Sequence, residues 1–352
     1  MATNRRSMRV GMVAALGTLA VGSAWAAPPA AEKERPATRS IALPGAPATG
    51  GVGMDFIAYD RAHGRVWVPA GNTGSVDVID VATDKVTRIE GFAIKEFERD
   101  GRKRTMGPSS VAVGDGVVFV GSRGDDSICA LDAASLKKGP CIKLDSMPDA
   151  IALVPSAREV WVTTQANNSI VVLDASSPTA LTVKTSIVVA GSPECFVVDD
   201  ARGVVYTNLE DKDRTVAVDV KTRKVTKTWL PECGEVGPRG LALDTKLNFL
   251  FVACTTKVQL LDAGHDGKRL ASLDVGEGID ALDYVESRHE LYAAAGRGAK
   301  MVVATVGAEG ALTAKATIPT AVSARNPAVT EKGVAYLADS RDGTILVVEP
   351  VH

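Results

Sequence analysis

The chain has 352 residues and a formal net charge of −2, a length that by itself suggests two domains. Its mild acidity argues against a general nucleic-acid binder, which normally shows a basic face. Aromatic residues make up only 5%, which leaves few to stack against bases or sugars once a core is filled.

In chain order, residues 1–26 read as a signal peptide. Arg5, Arg6 and Arg9 form a basic start, Val10 to Val21 is apolar and small, and Ala24-Trp25-Ala26 offers a small-x-small cleavage site. The apolar run is short for a membrane span, and no cysteine near the cleavage site supports a lipid anchor. Asn4 and Ser7-Met8 fit a twin-arginine signal poorly, which favours ordinary secretion, so the expected location is periplasmic or secreted. Removing the leader changes the formal charge from −2 to −5. Residues 27–37, with two successive prolines and four charges, have nothing to bury and read as a disordered linker.

From residue 38 onward the chain repeats. Within Pro148 to Asp174, Ile151 to Val154, Val160 to Val162 and Ile170 to Leu173 are apolar runs separated by polar turns, a pattern of short strands. The aromatic of the second strand recurs as Trp67, Phe119, Trp161, Tyr206, Phe251, Tyr292 and Tyr336, at spacings of 52, 42, 45, 45, 41 and 44. Thirteen residues after most of them comes an acidic residue closing the third strand: Asp80, Asp132, Asp174, Asp219 and Glu349. The fifth unit reaches Asp262 in eleven residues, and the sixth has Thr305 at the matching place.

A period of 40–45 residues with four strands per unit predicts an all-β, seven-bladed β-propeller over residues 38–352. Because each blade buries its faces only against its neighbours, this is one large domain. The expected fourth strands are Lys85–Ile89, Cys141–Leu144, Thr182–Val189, Lys224–Trp229, Arg269–Val275 and Leu312–Ile318. The seventh unit has none of its own. Thr38 to Leu43 is predicted to complete it, closing the ring and removing an open edge.

Units such as Val160-Trp161-Val162-Thr163 followed by Ser169 to Asp174 resemble the YVTN-repeat, YncE-like family of seven-bladed propellers. The resemblance covers Thr38 to Pro350 and implies an extracytoplasmic propeller. That family has no single shared activity, so no catalytic residue is carried over.

The excess length between the first two aromatics falls in Glu90 to Met106. This insertion holds Phe92 and Phe97 ahead of a basic cluster, Arg99, Arg102, Lys103 and Arg104. Its two readings are a partner-binding or ligand-covering loop and a solvated excursion held down by its phenylalanines.

Propeller topology brings the starts of the first strands to one mouth of the central channel. The candidate ligand-binding residues there are Asp55, Asp149, Glu194, Arg239, Asp280 and Asn326, beside Ser109. This predicts an acidic mouth with one arginine. Clustered oxygens suit hard cations, so Asp149, Glu194 and Asp280 are candidate ligands of a divalent cation, the one cofactor considered. The chain carries none of the ligand motifs expected for haem or nicotinamide. His63, His265 and His289 fall in turns of the opposite face, and His352 is the last residue, which disfavours a histidine-based triad or zinc site at the mouth. The run Glu210 to Arg214 reads as a mutually paired, solvated turn.

Five cysteines in an exported chain suggest two disulfides and one free thiol. Cys129 with Cys141 is expected as a hairpin bond. Cys195 with Cys233 is the first inference for the second, leaving Cys254 free. The functional expectation is a monomeric, non-enzymatic binding or scaffold propeller whose mouth takes a protein or a small polar ligand, with nucleic acid disfavoured and no transmembrane anchor. The alternative is a lactonase-like hydrolase with a divalent cation at the mouth, by analogy with other propellers.

Overall fold

The computed structural model describes Met1, Gly11 and residues 36–99 and 101–350. The expected signal peptide, nearly all of the 27–37 linker and His352 lie outside the described residues. Residues 36–350 form seven four-stranded antiparallel sheets and one separate two-stranded hairpin. Blade three shows the plan: strands Ile151–Val154, Glu159–Thr164, Ser169–Asp174 and Thr182–Val188 pair in sequence order. The first strands of neighbouring blades touch all the way round, blade seven against blade one included, so the ring is closed.

Both markers of the repeat have a physical cause. Trp67, Phe119, Trp161, Phe251, Tyr292 and Tyr336 are no more than 2% exposed, and Tyr206 is 4% exposed. They belong to seven apolar clusters, each shared by two adjacent blades. No blade could bury these side chains alone, which is why the pattern must recur. The acidic residue ends the third strand because its carboxylate accepts the N–H groups of the turn that follows. Asp80 accepts from Ala82 and Thr83, Asp132 from Ser135, Asp174 from Ser176, Asp219 from Thr222, and Asp262 from Gly264 and His265. These are Asx turns, an established way of starting a tight reversal. Hydroxyl and N–H donors from the turns hold the Asp80, Asp132, Asp174 and Asp219 carboxyls below their usual range.

The N-terminal strand closes the ring as predicted. Thr38–Ala42 pairs antiparallel with Thr344–Val348, Ile41 opposite Ile345, and the Glu349 N–H donates to the Ala37 carbonyl at 2.9 Å. Arg39 reaches from this strand to Glu349 in the same blade and to Asp84 in blade one, at 2.6 Å from the latter. Blade two's outer strand, Lys138–Lys143, begins three residues earlier than expected and pairs across a register shift.

The insertion between blades one and two folds as a hairpin of its own, Lys95–Arg99 with Arg102–Met106. Phe92 is buried in the cluster between those blades, with the Lys138 ammonium 4.3 Å from its ring centre. Phe97 is only half-buried. One phenylalanine thus anchors the base of the hairpin.

Candidate functional site

The first strands of blades two to seven enter the ring at a proline or an equivalent small or apolar residue: Pro108, Pro148, Pro193, Pro238, Ile279 and Ala324. Pro108, Pro193, Pro238, Ile279 and Ala324 each pair with the end of the next strand, opposite Ser122, Leu209, Cys254, Ala295 and Asp339. The following residue then takes the channel-mouth position. By that register the positions belong to Ser109, Asp149, Glu194, Arg239, Asp280 and Arg325. The sequence reading chose Asn326 in blade seven. The pairing places Arg325 at the equivalent point and Asn326 one residue further, 1% exposed with φ +54°. Arg325 lies eleven residues before its blade's aromatic, Tyr336, where Glu194, Arg239 and Asp280 lie twelve before theirs, so spacing alone does not find it.

The mouth residues form three linked groups. Arg123 bridges Asp55, at 3.0 Å, and Asp149. Arg325 holds Asp280 at 2.7 Å and lies 4.0 Å from Asp55. The Asn326 amide donates to the Asp55 carbonyl at 3.0 Å and to Asp280 at 3.1 Å, while its oxygen accepts the Ala281 N–H. Arg239 pairs with Glu210, and the Gln165 amide donates to both Glu210 and Glu194. The mouth therefore carries three guanidinium groups rather than one. It is a mixed-charge ring.

Glu210 corrects a second expectation. The run Glu210 to Arg214 is only partly self-paired: Lys212 lies 3.9 Å from Asp211 and Arg214 donates to the Asp213 carbonyl, while its carboxylates also hold neighbouring loops. Glu210 takes Arg239, Asp211 accepts the Ser192 N–H, and Asp213 accepts the N–H groups of Cys233 and Gly234.

Close backbone approach sets the spacing between blades five and six. A Cβ at Gly240 would lie 2.5 Å from the Asp280 carbonyl oxygen and 2.6 Å from the Ala281 Cα, so only glycine lets these strands meet. The Asn208 amide donates to the Arg239 carbonyl at 2.6 Å and fixes the strand from the other side.

Glu194 is the most perturbed group of the ring. Burial, followed by the fields of Asp280, Glu210 and Asp55, pushes its carboxyl up to about 8 against the opposing effect of Arg239. Both causes favour its neutral form and so lower the negative charge of the ring. The three carboxylates named as cation ligands are each engaged: Asp149 by Arg123, Glu194 by Gln165 and Asp280 by Arg325. Among the described residues no three His, Cys, Asp or Glu side chains converge as a metal-binding group.

The cysteines overturn one pairing. Cys129 and Cys141 are bonded as expected, but the second disulfide joins Cys233 to Cys254, and Cys195 is the free, buried thiol. The repeated Pro-Glu-Cys tripeptide misled the reading. Cys195 stands in a first strand, whereas Cys233 lies in the loop that crosses to blade five, beside the end of Phe249–Cys254. Burial pushes the Cys195 thiol up to about 12.

The opposite end of the channel is less empty than expected. A cavity of about 510 Å³ opens there between blades six, seven, one and two, lined by Asp60, His63, Asp115 and Asp283 among others. His63 is tied to Asp60 at 2.8 Å. Burial raises the Asp283 carboxyl to about 7 although it accepts the Val329 and Tyr284 N–H groups. His265 is bound to Asp262, and His289 lies 3.4 Å from the Tyr284 hydroxyl.

No protein-family model matches the chain, and no curated protein matches it. Solved structures do. A chain from the crystal structure of a mitotic checkpoint complex is similar with a TM-score of 0.70 at 12% identity, covering 99% of this chain and 100% of that one. Kuenenia stuttgartiensis hydrazine synthase is similar with a TM-score of 0.71 at 15% identity, over 88% and 99% of the two chains. A streptogramin B lyase structure gives 0.67 at 12% identity, over 90% and 98%. At these identities the likeness is one of fold: the chain is a seven-bladed β-propeller.

Proposed function

We propose that this protein is an exported, YncE-like binding propeller that presents its channel-mouth face to a small polar ligand or a protein partner. The observation that carries the reading is the convergence of Asp55, Asp149, Glu194, Arg239, Asp280, Arg325 and Asn326 at one end of the ring. Groups of both signs are held by one another there, and Asp55, Arg239, Asp280 and Arg325, which solvent still reaches, supply directional donors and acceptors that a ligand can exchange for. Two disulfides suit an oxidising compartment. Supporting binding over hydrolysis, the carboxylates that would activate water are already engaged by arginine or amide partners. Fold likeness by itself does not assign an activity.

A melting-shift screen of small polar ligands, followed by titration of the hits, tests the reading. Asp149→Asn combined with Arg239→Gln is expected to weaken a hit about tenfold or more, as the loss of charge-assisted contacts would. His63→Ala with His289→Ala is expected to leave it unchanged. The reverse pattern would move function to the other end of the channel. N-terminal sequencing of the secreted chain should find cleavage after Ala26.

A further inference from the structure

Beside the channel mouth, between blades five, six and seven, lies a cleft of about 600 Å³, a volume that ordinary small-molecule sites share. Three arginines line it, Arg239, Arg297 and Arg325, against a single carboxylate, Asp280. Arg325 uses Nη1 on Asp280 and has Nη2 4.0 Å from Asp55, and Arg239 uses Nη1 on Glu210. Their side chains remain 36% and 34% exposed. A guanidinium has five N–H donors, so both keep donors to spare. Arg297 is exposed and forms no ion pair or hydrogen bond among the described residues. The rim is apolar, with Val236 54% and Val322 46% exposed on the loops that lead into blades five and seven.

We propose that this cleft binds an amphiphilic anion: a carboxylate or phosphate headgroup held by Arg297 with the free edges of Arg239 and Arg325, carried on an apolar body that covers Val236 and Val322. The inference rests on the mouth face being the binding face, and it names the ligand class. A divalent cation is the wrong partner for this wall, because its lining charge is positive. Planar guanidinium groups match the two oxygens of a carboxylate or phosphate and favour such headgroups over neutral ones. The valines give the apolar part a reason to stay, since covering them removes exposed hydrocarbon from water. Neither feature alone makes a site. Their adjacency on one cleft does.

Calorimetric titration of the full chain at low salt with octanoate, octyl phosphate and octylammonium tests this. At least one of the two anions is expected to bind saturably at one site, and the tighter of them identifies the headgroup. Octylammonium is expected not to bind. Arg297→Gln, which disturbs no contact of the fold, should weaken the anion about tenfold, and Val322→Ser about threefold. Arg341→Gln is the control on the same face and should change nothing. Absence of saturable anion binding would overturn the proposal, as would anion binding that ignores Arg297→Gln. If octylammonium binds instead and Asp149→Asn abolishes that binding, the anion proposal fails while the mouth-face reading stands. If the anion responds only to His63→Ala with His289→Ala, both fail together.

Discussion

Asp280 and Arg325 stand at the same register position of neighbouring blades and join at 2.7 Å across the channel mouth. Because the ring repeats, each blade delivers one side chain to this circle, and the charge a residue meets there is decided by the blade beside it. Burial works against the Arg325 charge, but Asp280, Asp55 and Glu194 outweigh it and its pKa is raised. The fields of Asp280 and Asp55 also raise the Glu194 pKa, but there they oppose the charged form instead of favouring it.

That opposition predicts a pH dependence. Burial and its carboxylate neighbours lift Glu194 from 4.5 to about 8 in the folded chain. The folded state therefore holds a proton that the unfolded state releases between those values, and stability falls as pH rises through that window. Asp283, raised to about 7, and Asp77, raised to about 6, act in the same direction. Glu194→Gln cannot lose its proton. Its melting temperature should match the parent near pH 5 and exceed it by about 2–4 °C near pH 9. Melting curves across that range check this, and parallel curves for the two proteins would contradict it.

Ring closure should be costly to disturb. Ile41 is 8% exposed and pairs with Ile345 in the strand that completes blade seven. Ile41→Asp buries a charge without a partner and is expected to cost about 3 kcal/mol. Removing residues 36–46 altogether should bare the edge of Thr344–Val348 and promote association. Denaturant unfolding and light scattering report the two effects separately.

Non-reducing peptide mapping should recover Cys129 with Cys141 and Cys233 with Cys254. Cys195 should resist alkylation in the folded protein and react only after unfolding, since it is buried and its thiol is pushed up to about 12. The Cys233–Cys254 link spans 21 residues, and replacing both by serine should lower stability by about 3 kcal/mol on the loop-entropy scale.

Two tryptophans at equivalent positions should respond differently. The Trp161 indole N–H donates to Glu159 at 3.0 Å, and Glu159 also holds Lys184 and Arg223. The Trp67 indole N–H is buried without an acceptor among the described residues, because the residue two before it is Arg65 rather than a glutamate. Glu159→Ala should therefore cost about 2–3 kcal/mol, leaving one buried donor unpaired and taking from Lys184 and Arg223 the carboxylate they share. Trp67→Phe loses no hydrogen bond and should cost less than Trp161→Phe, as chemical denaturation of the three variants will show.

The number of blades, their strands and the strand that closes the ring are all legible in the amino-acid order. Those features follow from local causes that repeat: an aromatic buried between neighbours, an aspartate that caps a turn, and a period short enough to count. The repeat also places one residue of each first strand near the mouth, but it does not reveal that Arg123 and Glu210 join them. How those residues pair emerges only once the blades are packed side by side. Arg325 took the place read for Asn326 because blade seven is one residue shorter between that position and its aromatic. Glu210 left its own turn for Arg239, and Cys233 bonded Cys254 instead of Cys195. The cationic cleft belongs to the same class, since Arg239, Arg297 and Arg325 come from three different blades. Pairing depends on distance across blade boundaries, and a chain that repeats every 40–45 residues offers several equivalent partners whose separation in sequence says nothing about which one is near.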